Sequence, residues 1–163
     1  MTERDQWLMM TPENFLKECD QEFHKARGHG GQKVNKTSCA VRLTHRASGL
    51  SIAADSSRSQ YENRLQAVSK LRRLIAYELR EEVPENLPYE LLPEPSVRNP
   101  KRLLWAAHVL DVLAACQWEP KPAASLLQAS VSRLTRTLYQ DPDLWTILNR
   151  EREKLGLHPW KGN

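Results

Sequence analysis

Gly28, Gly30 and Gly31 are three of the six glycines in a chain of 163 residues, and they fall within four consecutive positions, with His29 among them and Gln32 directly after. Glycine permits positive φ and close approach of the main chain to another molecule, so the chemistry on offer is that of backbone N–H groups. Two uses compete. A glycine loop can cradle a phosphate, but that calls for GxGxxG or GxxxxGK[ST] between a strand and a helix. Here the glycines lead into Gln32-Lys33-Val34-Asn35-Lys36 and then a strand pattern, so neither form fits. The other use is a loop that carries N–H donors into an active site completed by a different molecule.

The flanking segments supply the frame for such a loop. Thr11-Pro12-Glu13 reads as an N-cap with proline at the first helical position, giving a short helix to about Lys17. Cys19 to Lys25 is a weak strand candidate, and Ala26 to Lys36 has no apolar period and reads as loop. Cys39, Val41 and Leu43 alternate with Arg42 and Thr44. After a turn at Ala47-Ser48-Gly49, a second run follows at Leu50–Ala54, so the pair reads as an antiparallel hairpin. From Arg58 to about Glu82 the period becomes helical, with Leu65, Val68, Leu71, Leu74, Ile75 and Leu79 forming the stripe laid on the sheet. Half of the ten prolines fall between Pro84 and Pro100, which marks a linker. Helices are predicted at Lys101–Cys116, as a pair within Ala123–Tyr139, and from the Asp141-Pro142 cap to Gly156. The expected class is α+β: a small antiparallel or mixed sheet with a long packed helix at 1–83, a proline-rich linker at 84–96, and a small all-helical domain at 97–163.

Composition narrows the function classes. Net charge is +4, yet twelve Lys or Arg lie between His24 and Arg80 against only Asp55, Glu62 and Glu78. A block of that kind suits either a phosphate-rich partner or a solvated basic face. Three cysteines, none in a CxxC pair, argue against a disulfide framework, and five scattered histidines offer no metal spacing. No metal and no cofactor are expected. No apolar run is long enough for a membrane span and the N-terminus does not read as a secretion signal, so a cytoplasmic monomer is expected.

Lys25-Ala26-Arg27-Gly28-His29-Gly30-Gly31-Gln32-Lys33-Val34-Asn35-Lys36-Thr37 resembles the GGQ loop of the class I peptide chain release factors. Val41–His45 with Ser48-Gly49-Leu50 is similar to that family's next hairpin, and Ser57-Arg58-Ser59-Gln60 with Asn63-Arg64 to its RSQ turn into the long helix. The resemblance covers residues 18–80 and implies hydrolysis of the peptidyl-tRNA ester in the ribosomal peptidyl transferase centre. It implies Gly30, Gly31 and Gln32 as the catalytic loop, Gly28 as its hinge, and the Gln32 amide as donor to the developing oxyanion. RNA contact is expected at Arg27, Lys33, Asn35, Lys36 and Arg58, and at the cationic cluster Lys70, Arg72 and Arg73, since phosphate neutralisation needs only placed cations. The partners implied are the ribosome, through its RNA and the P-site peptidyl-tRNA, and a glutamine methyltransferase acting on Gln32. His29 departs from the family's small residue or proline, Arg27 from serine or glycine, and Lys33 from a common histidine.

Neither P-x-T nor S-P-F, the tripeptides with which such factors read stop codons, occurs in the chain. The reading is therefore a codon-independent, rescue-type hydrolase, although the Lys/Arg-rich tail of the known rescue factors is also missing. The alternatives are a catalytically idle ribosome- or RNA-binding relative, and a rescue factor for ribosomes on damaged RNA. In the C-terminal part, Ala123–Leu138 reads as an ordinary helical pair burying Leu126, Leu127, Leu134 and Leu138. A helix-turn-helix is the other reading, with its second helix from near Ser130 and glycine usual where Gln128 stands. There Arg133, Arg136 and Lys121 would grip RNA backbone. Trp105 and Trp145 are expected in the core, Trp160 in a packed tail, Cys19 and Cys39 on apolar strand faces, and His45 lining the hairpin. Arg58 and Gln60 are expected to anchor the turn into the long helix.

Overall fold

A computed structural model of the chain describes residues 1–24, 39–83, 94–96 and 98–162. It is α+β, as the sequence predicts, and its contacts divide it into two compact units, Met1–Ile75 and Ala76–Asn163. Among the described residues, no helix is long and apolar enough to cross a membrane.

The first unit begins with α1 (Glu3–Met9), an element the sequence reading did not predict. Thr2 caps it in a reciprocal box: Asp5 N–H donates to Thr2 Oγ1 at 3.2 Å, and Thr2 N–H donates to Asp5 Oδ2 at 3.4 Å. Next comes α2 (Pro12–Lys17), capped by Thr11 with proline at its first turn. Three antiparallel strands follow in the order β1 (Cys19–His24), β2 (Ala40–His45), β3 (Ser51–Ala54), with β2 in the middle. The register sets Cys19 opposite His45 and His24 opposite Ala40, then Val41 opposite Ala54 and Thr44 opposite Ser51. Gly49 turns the β2–β3 hairpin at φ 69°, a conformation cheap only for glycine, and its N–H donates to His45 O at 2.8 Å.

Period-2 alternation puts Val41, Leu43 and His45 on the buried face of β2, all fully enclosed. The long helix α3 (Gln60–Glu78) buries Asn63, Ala67, Val68, Leu71, Ile75 and Ala76. The predicted stripe is thus correct at Val68, Leu71 and Ile75 but turned in phase. Leu65 is exposed and Leu74 and Leu79 are half-buried, because Asn63 and the alanines carry the inward face. Each fully buried Leu or Ile contributes about 1.5–3 kcal/mol.

The second unit is built from α4 (Arg102–Ala115), α5 (Pro120–Leu126), α6 (Val131–Tyr139) and α7 (Pro142–Lys154). Its core joins Trp105, Val109, Leu110, Leu113, Leu127, Leu134, Leu138, Leu144 and Leu148, with Trp145 and Trp160 packed against it. Asp141 caps α7 through Asp143 N–H and Leu144 N–H, as its Asp-Pro pair predicts. Leu126, expected in this core, is exposed, since α5 is only seven residues long and turns Ala123 and Ala124 inward.

Candidate functional site

The residues expected to form the catalytic loop, Gly30, Gly31 and Gln32, its expected hinge Gly28, and the expected RNA contacts Arg27, Lys33, Asn35 and Lys36 lie outside the described residues. What the structure gives is the frame they hang from. β1 ends at His24 and β2 begins at Ala40, and these two residues are register partners in an antiparallel ladder. The chain therefore leaves the sheet and rejoins it on neighbouring strands at a single end.

Both stems at that end are held by the N-terminal half of α3. On the returning stem, Asn63 is fully buried, and its Nδ2 donates to Cys39 O and to Ser57 O, each at 2.7 Å. Its Oδ1 accepts from Ser57 N–H at 2.9 Å. Both amide hydrogens and an amide oxygen lone pair are thereby used, and one side chain ties the first residue before β2 to the turn that starts the helix. On the outgoing stem, the Arg64 guanidinium lies 5.5 Å above the centroid of the half-exposed Phe23 ring. The sequence reading quoted Asn63 as part of a motif but gave it no role. The available signal was a polar residue four positions before Ala67 and eight before Leu71, in phase with the buried face.

The turn itself is built by hydroxyls. Ser57 Oγ accepts from Ser59 N–H at 3.0 Å, and Ser59 Oγ accepts from Glu62 N–H at 3.3 Å, opening α3. Arg58, expected to anchor this turn, instead stands exposed with no side-chain partner among the described residues. Its charge is available to a phosphate. Lys70 and Arg73 are exposed as well, but Arg72, grouped with them from sequence, is half-buried. Its guanidinium donates to Met10 O and sits 4.9 Å over the Phe15 ring, and burial lowers its pKa below the ordinary arginine range. Arg72 therefore ties α3 to α2 and to the segment before it.

At the opposite end of the sheet, where Cys19 pairs with His45, the His45 ring stacks on Phe15 (centroids 5.4 Å apart, planes at 6°) and meets the edge of Trp7 at 4.4 Å. Ser48 N–H donates to His45 Nδ1 at 3.2 Å, and Ser48 Oγ is 3.0 Å from the same nitrogen. Nδ1 is thus an acceptor and the ring proton sits on Nε2, which has no partner among the described residues. Burial pushes the His45 pKa down, so the ring is a neutral structural element that lines the hairpin. Cys19 donates its thiol to Phe15 O at 3.3 Å, and burial pushes its pKa up to about 11, so it is a packed thiol and not a nucleophile.

Most of the family match lies in this first unit. The model of the RF-1 domain matches residues 15–90. Peptide chain release factor 1 of Thermotoga maritima is 45% identical over 64 residues, which is 39% of this chain and 18% of that protein. Peptide chain release factor 2 of Phenylobacterium zucineum is 50% identical over 58 residues, 36% of this chain and 15% of that one. A peptide chain release factor homolog of Escherichia coli is 48% identical over 65 residues, 40% of this chain and 30% of that one. The chain thus spans less than a third of these relatives, and the matched domain ends before α4. Residues 15–90 thus match the RF-1 domain, and that part of the chain is similar to the class I peptide chain release factors.

Proposed function

We propose that the protein is a codon-independent peptidyl-tRNA hydrolase that works on stalled ribosomes. The observation that carries this reading is Gly30-Gly31-Gln32 on an excursion between two paired strands, inside the matched domain, with both stems held by α3. The loop enters the peptidyl transferase centre, where water attacks the ester linking the nascent peptide to the P-site tRNA. Negative charge develops on the former carbonyl oxygen, and the Gln32 N–H donates to it. One such donor contributes about 2.7–4 kcal/mol, or roughly 10²–10³ in rate. The Gln32 side chain shapes the pocket that admits water, and a glutamine methyltransferase modifies it. Ribosomal RNA and the tRNA ribose complete the site, so no triad within the chain is required. Arg58, Lys70 and Arg73 add phosphate contacts from the α3 side. The protein acts in the cytoplasm as a monomer.

The test is release of labelled peptide from purified ribosomes stalled without a stop codon, wild type against Gly31→Ala. Release by the wild type alone supports the reading, and release by neither, with binding intact, refutes it. That second result would favour a catalytically idle ribosome binder, the reading suggested by Arg27 and His29 as departures from the pattern the family resemblance implies. A preference for ribosomes on damaged RNA would place the recognition of damage in the helical unit.

A further inference from the structure

Residues 120–140 hold Lys121, Arg133 and Arg136 and no aspartate or glutamate. The two carboxylates that bracket this segment are engaged elsewhere in the helical unit. Glu119 lies 3.8 Å from the Arg152 guanidinium, and Asp141 lies 2.6 Å from that of Arg102. Lys121, Arg133 and Arg136 are all exposed, and none has a side-chain partner among the described residues. Uncompensated positive charge is therefore concentrated on α5, α6 and the turn between them.

The backbone there forms the helical pair that both sequence readings share. α5 and α6 are joined through a turn in which Gln128 adopts φ 52°, the left-handed conformation that a helix-turn-helix asks of its turn residue. Ser130 then caps α6 by accepting from Arg133 N–H at 3.2 Å. The faces of α6 are not equivalent. Leu134, Thr135 and Leu138 point inward, Trp160 Nε1 donates to Thr135 Oγ1 at 3.1 Å, and Tyr139 meets the edge of Trp145. The arc left open carries Ser132, Arg133 and Arg136, whose i, i+1, i+4 spacing makes one ridge.

We infer that the Ser132–Arg133–Arg136 ridge, with Lys121 on the preceding helix, is a docking surface for the phosphate backbone of duplex RNA. The deep major groove of A-form RNA does not admit a helix, so contact is made to phosphates and 2′-hydroxyls across the shallow minor groove. Two guanidiniums and a hydroxyl on one ridge suit that chemistry, and they carry no sequence preference. The surface lies outside the matched domain, and its binding is independent of whether the GGQ loop hydrolyses anything.

The experiment uses the full chain and a fluorescent RNA duplex of about 20 base pairs and arbitrary sequence, long enough to offer successive minor-groove faces. Affinity is read by anisotropy from about 50 to about 250 mM salt. For the double variant Arg133→Gln/Arg136→Gln, the slope of log affinity against log salt falls by about 2, and affinity near 0.15 M drops about fivefold per lost contact. Adding Lys121→Gln lowers the slope by about one more. The control Arg98→Gln/Lys101→Gln removes the same charge from exposed positions outside α5 and α6 and leaves the slope as in the wild type. All variants keep the unfolding midpoint of the wild type, since the replaced side chains are exposed and have no hydrogen-bond or ion-pair partner among the described residues. Unchanged slope in the ridge variants, or equal loss in the control, overturns the inference. Tighter binding to a DNA duplex of the same sequence overturns the RNA assignment. Loss of ribosome affinity with RNA-duplex binding intact overturns it in favour of an acidic protein partner.

Discussion

Replacing Asn63 by alanine tests the frame of the loop at its most enclosed point. The side chain is fully buried and makes three hydrogen bonds of 2.7–2.9 Å to Cys39 O, Ser57 O and Ser57 N–H. Each such bond contributes about 0.5–1.5 kcal/mol net, and truncation leaves the Cys39 carbonyl and the Ser57 N–H without this partner. The expected loss is about 2–4 kcal/mol in the first unit, read as a fall of several degrees in its thermal midpoint. Asn63→Asp separates hydrogen bonding from size. The carboxylate still accepts from Ser57 N–H, but it turns an acceptor toward two carbonyl oxygens that need donors, so the loss is at least as large as for alanine. Under conditions where the variants remain folded, peptide release falls in the catalytic step more than in ribosome affinity, because the stem is displaced while exposed cations stay in place. Unfolding of Asn63→Ala within about 0.5 kcal/mol of wild type, the range of an ordinary surface change, refutes the reasoning.

Other outcomes follow from the same contacts. His45 is neutral when folded with its pKa lowered by burial, so the folded state binds fewer protons than the unfolded one near pH 6. Its contribution to stability is complete above the unfolded value of about 6.5 and is lost as pH falls below it toward the folded value. Chemical denaturation at pH 7.5 and pH 5 is expected to show this loss in wild type and a smaller one in His45→Phe. Equal losses would remove His45 from the account. Arg72→Met, which forfeits the Met10 carbonyl and the charge over Phe15, costs about 1–3 kcal/mol, whereas Lys70→Ala stays within about 0.5 kcal/mol in the same titration. Gln128→Gly relieves a left-handed residue at a cost in unfolded-chain entropy, and it is expected to be neutral or to raise the stability of the helical unit by up to about 1 kcal/mol. A clear destabilisation would show that the Gln128 side chain holds the turn.

How far the sequence displays this structure differs from element to element. The β2–β3 hairpin and the capped α7 were legible because their signals are local: strict alternation with a glycine turn, and Asp-Pro at a helix start. β1 was faint because only Cys19 of its six residues is buried; it exists by pairing its backbone with β2, not by burying a face. α1 escaped because it is seven residues long and its capping box uses Asp5 in place of the usual glutamate or glutamine. The phase of α3 was misjudged because hydrophobicity was weighed by side-chain size. Leu65 counted toward the stripe and Ala67 did not, whereas alanine is what a close helix contact accepts. Asn63 and Arg72 share one cause, polar residues whose partners are backbone carbonyls remote in sequence, which no local pattern shows. The GGQ loop is read from residue identity alone and lies outside the described residues.

The account stands most directly on the backbone amide of Gln32. Single-turnover release of labelled peptide from stalled ribosomes, measured for wild type, Gln32→Ala and Gln32→Pro, isolates that group. Alanine keeps the N–H and proline removes it. The account predicts measurable release with alanine and a loss of roughly 10²–10³ with proline at unchanged ribosome affinity. Release by the proline variant at the wild-type rate would contradict it.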